Sequence, residues 1–196
     1  MTQENTGIII LAAGNSSRLG QPKQLLDYQG KTLLGHTVEQ ALAVSSKVIV
    51  VTGNENSGIE KETGSAGTIQ NEKWQEGMAS SIHKGLNEML LAYPETQNIL
   101  ITVCDQPNIN ASVFSELIEK RQSSAKGIIA SHYSGTLGTP VLFSRSYFSD
   151  LFQLNGHEGA KKLLIKYRDD VGQVMFEKGS VDIDTPEDYQ KLINNQ

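Results

Sequence analysis

Apolar residues along this chain follow two alternating patterns, and the alternation predicts an α/β fold. Short continuous runs appear at Ile8 to Leu11, at Lys47 to Thr52 and at Asn98 to Val103. Runs this short and uninterrupted are expected of parallel strands covered on both faces. Between them the spacing changes to three and four, at Leu34, Val38, Ala41 and Leu42, then at Ile82, Leu86, Met89 and Leu90. That spacing lines one face of an amphipathic helix. Asn110 is a good N-cap for a helix with Val113, Phe114, Leu117 and Ile118 facing inward, and Ala160, Leu163, Leu164 and Tyr167 predict another. Further strands are expected at Gly127 to Ser131, Pro140 to Phe143 and Gln173 to Phe176, with a short one near Thr68-Ile69. Residues 53–67, rich in Gly, Ser and Glu, read as an exposed segment with little core. A last helix should start with Thr185 as cap, Pro186 as its first residue and Asp188 as an imperfect capping-box partner. Tyr189, Leu192 and Ile193 would be its buried side. The whole predicts one domain over residues 1–196, a three-layer α/β/α sandwich on a mostly parallel, Rossmann-like mixed sheet.

The first strand empties into Leu11-Ala12-Ala13-Gly14-Asn15-Ser16-Ser17-Arg18-Leu19-Gly20-Gln21-Pro22-Lys23. Small residues let backbone N–H groups approach an anion, Arg18 offers a planar fork and Lys23 a mobile point charge. This composition suggests a triphosphate cradle. Two better-known phosphate loops do not fit. The dinucleotide fingerprint needs glycine where Ser16 stands, and the P-loop ending at Gly30-Lys31-Thr32 needs glycine where Leu25 stands. Gly30-Lys31-Thr32 therefore reads as the turn into the first helix.

Charge and composition narrow the setting. A net charge of −5 argues against a general nucleic-acid surface, so an anion site must be a local cluster of cations. No run reaches the roughly 18 apolar residues a membrane helix needs. The polar stretch Met1 to Thr6 carries no signal-peptide core, and the single cysteine, Cys104, cannot form an intrachain disulfide. A cytoplasmic protein without nucleic-acid or membrane partners is expected. Cys104 ends a buried strand and reads as a small core residue, and His36, His83 and His132 have no metal-ligand spacing. Asp105 follows the strand ending at Val103, at the edge where open α/β sheets bind ligands. Asp182 and Asp184 flank Ile183, so an extended chain turns both to the face opposite it. Magnesium takes one or two protein carboxylates together with phosphate oxygens and water.

The motif L-A-A-G-x-S-x-R-x-G-x-P-K resembles the signature of nucleotidyltransferases, and within them the molybdenum cofactor cytidylyltransferases of the MobA-like superfamily. Related guanylyltransferases usually read Leu-Ala-Gly-Gly, so Ala13 points to CTP over GTP. The resemblance implies the nucleotide-diphospho-sugar transferase fold and transfer of CMP from CTP to a molybdopterin phosphate with release of pyrophosphate. It implies Mg²⁺ on Asp105 and Asp184, with Asp182 as the fallback, and Arg18, Lys23 and Asp105 as catalytic residues. Leu11, Ala12, Ala13, Gly14, Arg18 and Lys23 would bind the nucleotide, joined by Gly77, Met78 and Ser81 of Asn71-Glu72-Lys73-Trp74-Gln75-Glu76-Gly77-Met78-Ala79-Ser80-Ser81-Ile82. Trp74 is either core packing or a lid over the acceptor. Gln106, Gly138, Pro140, His157 and Lys161 fall at acceptor-side positions, although His157 stands where aspartate is typical. Partners would be CTP (or GTP), a molybdopterin-type acceptor, and a molybdoenzyme or its maturation chaperone. A related transferase acting on GTP or another phosphorylated acceptor stays open, as does a non-catalytic nucleotide-binding chaperone. A pure binder would have less need of the paired carboxylates.

Overall fold

Strand β1 (Thr6–Ala12) lies in the interior of the sheet, between two parallel neighbours, and its seven residues are all buried. The computed structural model describes residues 5–14, 16–53 and 58–194. Next come the two-residue strands β2 (Asp27–Tyr28) and β3 (Lys31–Thr32), helix α1 (Leu33–Leu42) and strands β4 (Val48–Thr52) and β5 (Gly67–Gln70). Helix α2 (Met78–Ala92), strand β6 (Asn98–Val103), helix α3 (Ala111–Ser123) and strands β7 (Ile128–Tyr133) and β8 (Thr136–Ser144) follow. The chain closes with helices α4 (Phe148–Phe152) and α5 (Lys161–Lys166), strand β9 (Val171–Met175) and helix α6 (Pro186–Asn194).

The sheet has seven strands in the order β5-β4-β1-β6-β8-β7-β9. Only β8 runs against its neighbours. Side chains alternate across β1. Ile8 and Ile10 pack under α1 and α3 with Leu34, Val38, Phe114 and Leu117, while Ile9 and Leu11 pack under α2, α4 and α5 with Ile82, Leu86, Leu151 and Leu163. This is the expected three-layer sandwich. The covered faces explain why the strands read as unbroken apolar runs.

Local signals place the helix starts. Thr32 Oγ1 accepts from Gly35 N–H at 2.9 Å and Asn110 Oδ1 from Val113 N–H at 3.2 Å. Thr185 and Asp188 close a reciprocal capping box at 3.0 and 3.2 Å.

Two expectations need correction, and one helix lies outside them. In the stretch 53–67, of which 54–57 lie outside the described residues, Ile59 is buried in the α1–α3 core and Thr63 is also buried. The segment is therefore anchored, not merely exposed. On α6, Ile193 is exposed, and only Tyr189 and Leu192 pack against the small cluster of Leu19, Leu26, Tyr28, Leu33 and Ile183. A nine-residue helix at the margin has only that one stripe to bury against. Helix α4, with Phe148 and Leu151 inward, is too short to show a period.

Helix α2 sits close on the sheet because of Gly85. A Cβ there would lie 2.6 Å from Ile9 Cγ2 and 2.8 Å from Val51 Cγ2. Gly85→Ala is expected to destabilise by about 1–3 kcal/mol through overpacking, measured as a lower urea midpoint at unchanged slope.

Candidate active site

The loop after β1 is held from beneath. Gln24, buried in the short 3₁₀ turn Lys23–Leu25, donates through Nε2 to Ala12 O at 2.6 Å. Ser16 Oγ accepts from Lys23 N–H at 2.9 Å, and Ser16 O accepts from Leu19 and Gly20 N–H at 3.0 and 3.1 Å. These contacts turn the chain back on itself and aim Lys23 across the carboxyl edge of the sheet. Gln24 carries no charge and fits no phosphate-loop pattern, so the sequence offered no signal for it.

Lys23 Nζ lies 2.6 Å from Asp105 Oδ2 and 2.9 Å from Asp184 Oδ1. Arg18 Nη2 pairs with the other Asp184 oxygen at 2.8 Å. Four residues expected to serve one site therefore meet in a single chain of charges. Burial works to lower the Lys23 pKa, but Asp105 and then Asp184 outweigh it and hold the ammonium above its ordinary value. The Lys23 hydrogen bond holds Asp184 below the usual carboxylate range, helped by the charges of Lys23 and Arg18. Asp182 goes the other way, raised by burial and then by the like charges of Asp105 and Asp184. The structure thus separates the two aspartates flanking Ile183: Asp184 faces Lys23, whereas Asp182 forms no salt bridge among the described residues.

A backbone bond sets this meeting. Ile183, fully buried, donates its N–H to Asp105 O at 3.0 Å and brings the next residue beside Asp105. Gln106 supports it from behind. Its amide is buried, donates to Gly179 O at 2.7 Å and accepts from Thr139 Oγ1 at 3.2 Å.

Lys23 and Asp105 also line a cavity of about 620 Å³ shared with Leu11, Met78, Ser81 and His157. Gly77 makes its far wall possible. Its φ is +111°, and a Cβ would collide with the Gly156 carbonyl, which accepts from Ala79 N–H at 3.1 Å. Only glycine allows the turn 155–158 to dock there and bring His157 to the rim. A second cavity, about 290 Å³, opens between Ala12, Gly14, Pro22 and Trp74. Trp74 lines both cavities and is half-buried, so it is a cavity wall and not core; its indole N–H is buried and has no partner among the described residues. Cys104 lines the larger cavity, but burial and then Asp105 push its thiol up to about 12, which leaves no nucleophilic thiolate near neutrality.

The remaining acceptor-side positions are dispersed. Gly138 and the buried Pro140 lie on β8, where Gly138 packs against the Tyr133 ring and Pro140 O accepts from Ser131 Oγ at 2.8 Å. Lys161 is exposed at the start of α5.

The chemistry of the donor set fits a divalent cation. Two carboxylates from different segments already converge on one positive centre, the Lys23 ammonium. Among the described residues no group of three or more His, Cys, Asp or Glu side chains gathers as a metal nest. Two carboxylates suit an ion that takes its other ligands from phosphate and water.

A charged loop, two convergent carboxylates and a cavity meet at the carboxyl edge of a mixed α/β sheet. The chain belongs to the MobA-like NTP transferase domain family, whose model matches residues 8–171. It is similar to the molybdenum cofactor cytidylyltransferase of Escherichia coli, 26% identical with 92% of each chain covered. It is equally similar to the purine catabolism protein PucB of Bacillus subtilis, 28% identical with 94% of each covered. The crystal structure of Rv0371c from Mycobacterium tuberculosis superposes with a TM-score of 0.84 at 29% identity, covering 98% of this chain and 100% of that one. A structure of Rv0371c in complex with manganese has a TM-score of 0.79 at 26% identity, with the same coverage.

The Asp184 contribution to stability is present above the ordinary carboxylate pKa and is lost as pH falls through the depressed folded value. In Lys23→Met, the Asp184 midpoint, followed by carboxyl ¹³C NMR, should move upward. An unchanged midpoint would show that the contact does not hold Asp184.

Proposed function

We propose that this protein transfers CMP from CTP to the phosphate of a molybdopterin-type acceptor, releasing pyrophosphate. The observation that carries the reading is the convergence of Arg18, Lys23, Asp105 and Asp184 beside the small-residue loop. An acceptor phosphate oxygen attacks the α-phosphorus in line, the new P–O bond forms, and the bond to the β-phosphate bridging oxygen breaks. An ionised phosphate is already a nucleophile, so no protein nucleophile is required and the buried Cys104 is consistent with that. Positioning and charge neutralisation then supply the catalysis.

Ala12, Ala13 and Gly14 let the triphosphate approach the backbone. Lys23, nine-tenths buried, reaches the phosphates at the reacting centre, and Arg18, exposed at the rim, closes on the outer oxygens. Asp105 and Asp184 would hold Mg²⁺, which when bound neutralises charge on the phosphates. The manganese complex of Rv0371c supports a divalent ion in this fold. Leu11, Gly77, Met78 and Ser81 would bind the nucleoside in the 620 Å³ cavity. His157, at its rim, would face the acceptor, with Gln106 holding the acceptor side in shape through Gly179 and Thr139. A second reading keeps the chemistry and changes the acceptor or the base. It is favoured by the equal similarity to PucB and by the aspartate-to-histidine departure at His157.

Four nucleoside triphosphates against a panel of acceptor phosphates, with Mg²⁺ and pyrophosphate release as readout, test both. CTP with molybdopterin should release pyrophosphate; release only with another pair moves the assignment to the second reading, and none at all rejects transfer. Asp105→Asn should lower release by ~100-fold or more while leaving the circular-dichroism spectrum intact. Arg18→Ala should raise KM for the nucleotide more than it lowers kcat.

A further inference from the structure

Ahead of α2, Asn71 is held in an orientation that fixes the polarity of a hydroxyl in the larger cavity. Its backbone N–H donates to Thr52 O at 2.8 Å and ties it to the end of β4. Its side-chain oxygen accepts from Lys73 N–H at 3.0 Å. Turning the amide over would set its NH₂ against that N–H, donor against donor, so the amide nitrogen must face the other way. There it donates to Ser80 Oγ at 2.8 Å and to Ser81 Oγ at 3.0 Å.

The two serines differ in what their own protons can do. Ser80 Oγ lies 2.9 Å from Lys73 O and 2.8 Å from Gly77 O, so its proton is engaged. Ser81 donates to no described residue and is recorded only as the acceptor of the Asn71 amide. A hydroxyl has one proton, and with Asn71 occupying a lone pair that proton is left for whatever enters the cavity. Asn71 is 4% exposed and Ser81 5% exposed, so water is a poor substitute partner for either.

We propose that Asn71 is a positioning residue that presents Ser81 as a hydrogen-bond donor to the nucleobase. The pocket would then favour a base with a carbonyl or ring-nitrogen acceptor at that point, as cytosine has in O2 and N3. The inference rests on the nucleotidyl-transfer reading above. Asn71→Asp reverses the polarity with almost no change of shape. One carboxylate oxygen keeps the Lys73 bond, while the other accepts from Ser81 and turns the Ser81 oxygen lone pairs toward the base.

Calorimetric titration with CTP and with inorganic tripolyphosphate, on Asn71→Asp, Ser81→Ala and the double variant, tests this. Asn71→Asp should weaken CTP by ~10-fold or more beyond the loss its added negative charge causes for tripolyphosphate. Ser81→Ala should also weaken CTP, and adding Asn71→Asp to it should cost CTP no more than it costs tripolyphosphate. An equal CTP loss in the Ser81→Ala background, or a tripolyphosphate loss as large as the CTP loss, would show a merely structural Asn71 and overturn the proposal. If Asn71→Asp does not melt cooperatively, Asn71→Ala takes its place in the same cycle with a smaller expected loss. CTP binding without Asn71–Ser81 coupling overturns this inference and leaves the transfer reaction standing. A wild-type protein that binds no nucleotide overturns both.

Discussion

One ammonium group organises the carboxyl edge of this protein. Lys23 Nζ draws together Asp105 and Asp184, which stand 82 and 161 residues from it in sequence. A lysine with a side chain only 11% exposed needs partners, because burying an unpaired charge is expensive. The contact with Arg18 is of another kind. At 70% side-chain exposure its guanidinium is well solvated, and such pairs contribute about 0–1 kcal/mol. The inner pair therefore defines the site, and the outer arginine is free to exchange its carboxylate for a phosphate at little cost. Two cations against two carboxylates leave this cluster close to neutral without ligand.

Strand direction is what lets that ammonium find its carboxylates. β4, β1 and β6 run parallel, with Ala12 beside Thr52 and Leu11 beside Val103. The loops that follow them must leave the sheet at the same edge. The reversal of β8 adds a third contribution, since its entrance lies where β6 ends and Ile101 pairs with Val141. Thr139 thereby reaches Gln106, and Gln106 reaches Gly179. A buried amide with both its oxygen and nitrogen engaged is a rigid strut. It holds the turn that leads to Ile183 and Asp184.

The cavity wall depends on glycine and asparagine more than on bulky groups. Gly77 takes a positive φ and lies against the Gly156 carbonyl, so α2 can begin within reach of the 155–158 turn. Asn71, tied to the end of β4, then bonds to the serines of the first helical turn. The larger cavity is thus attached to the same sheet edge as the charged cluster, through short polar contacts that apolar periodicity does not register.

The sequence by itself determined most of the elements and singled out the charged residues that meet at the sheet edge. Unbroken apolar runs require a covered sheet, caps at Asn110 and Thr185 start helices, and Arg18 and Lys23 stand out in a small-residue loop after a buried strand. These are local properties, carried by neighbours within a turn or a strand. It could not show that Ile59 is core, because one isoleucine in a polar stretch has no period. Nor could it choose between Asp182 and Asp184 as the partner of Lys23, since both alternate with Ile183 in the same way. Gln24 and Gln106 were illegible as supports because an amide acquires its role from the carbonyls it meets, Ala12 and Gly179 here. Only the tertiary structure decided these points, because each is a contact across long chain separations, and such contacts follow from strand order and direction.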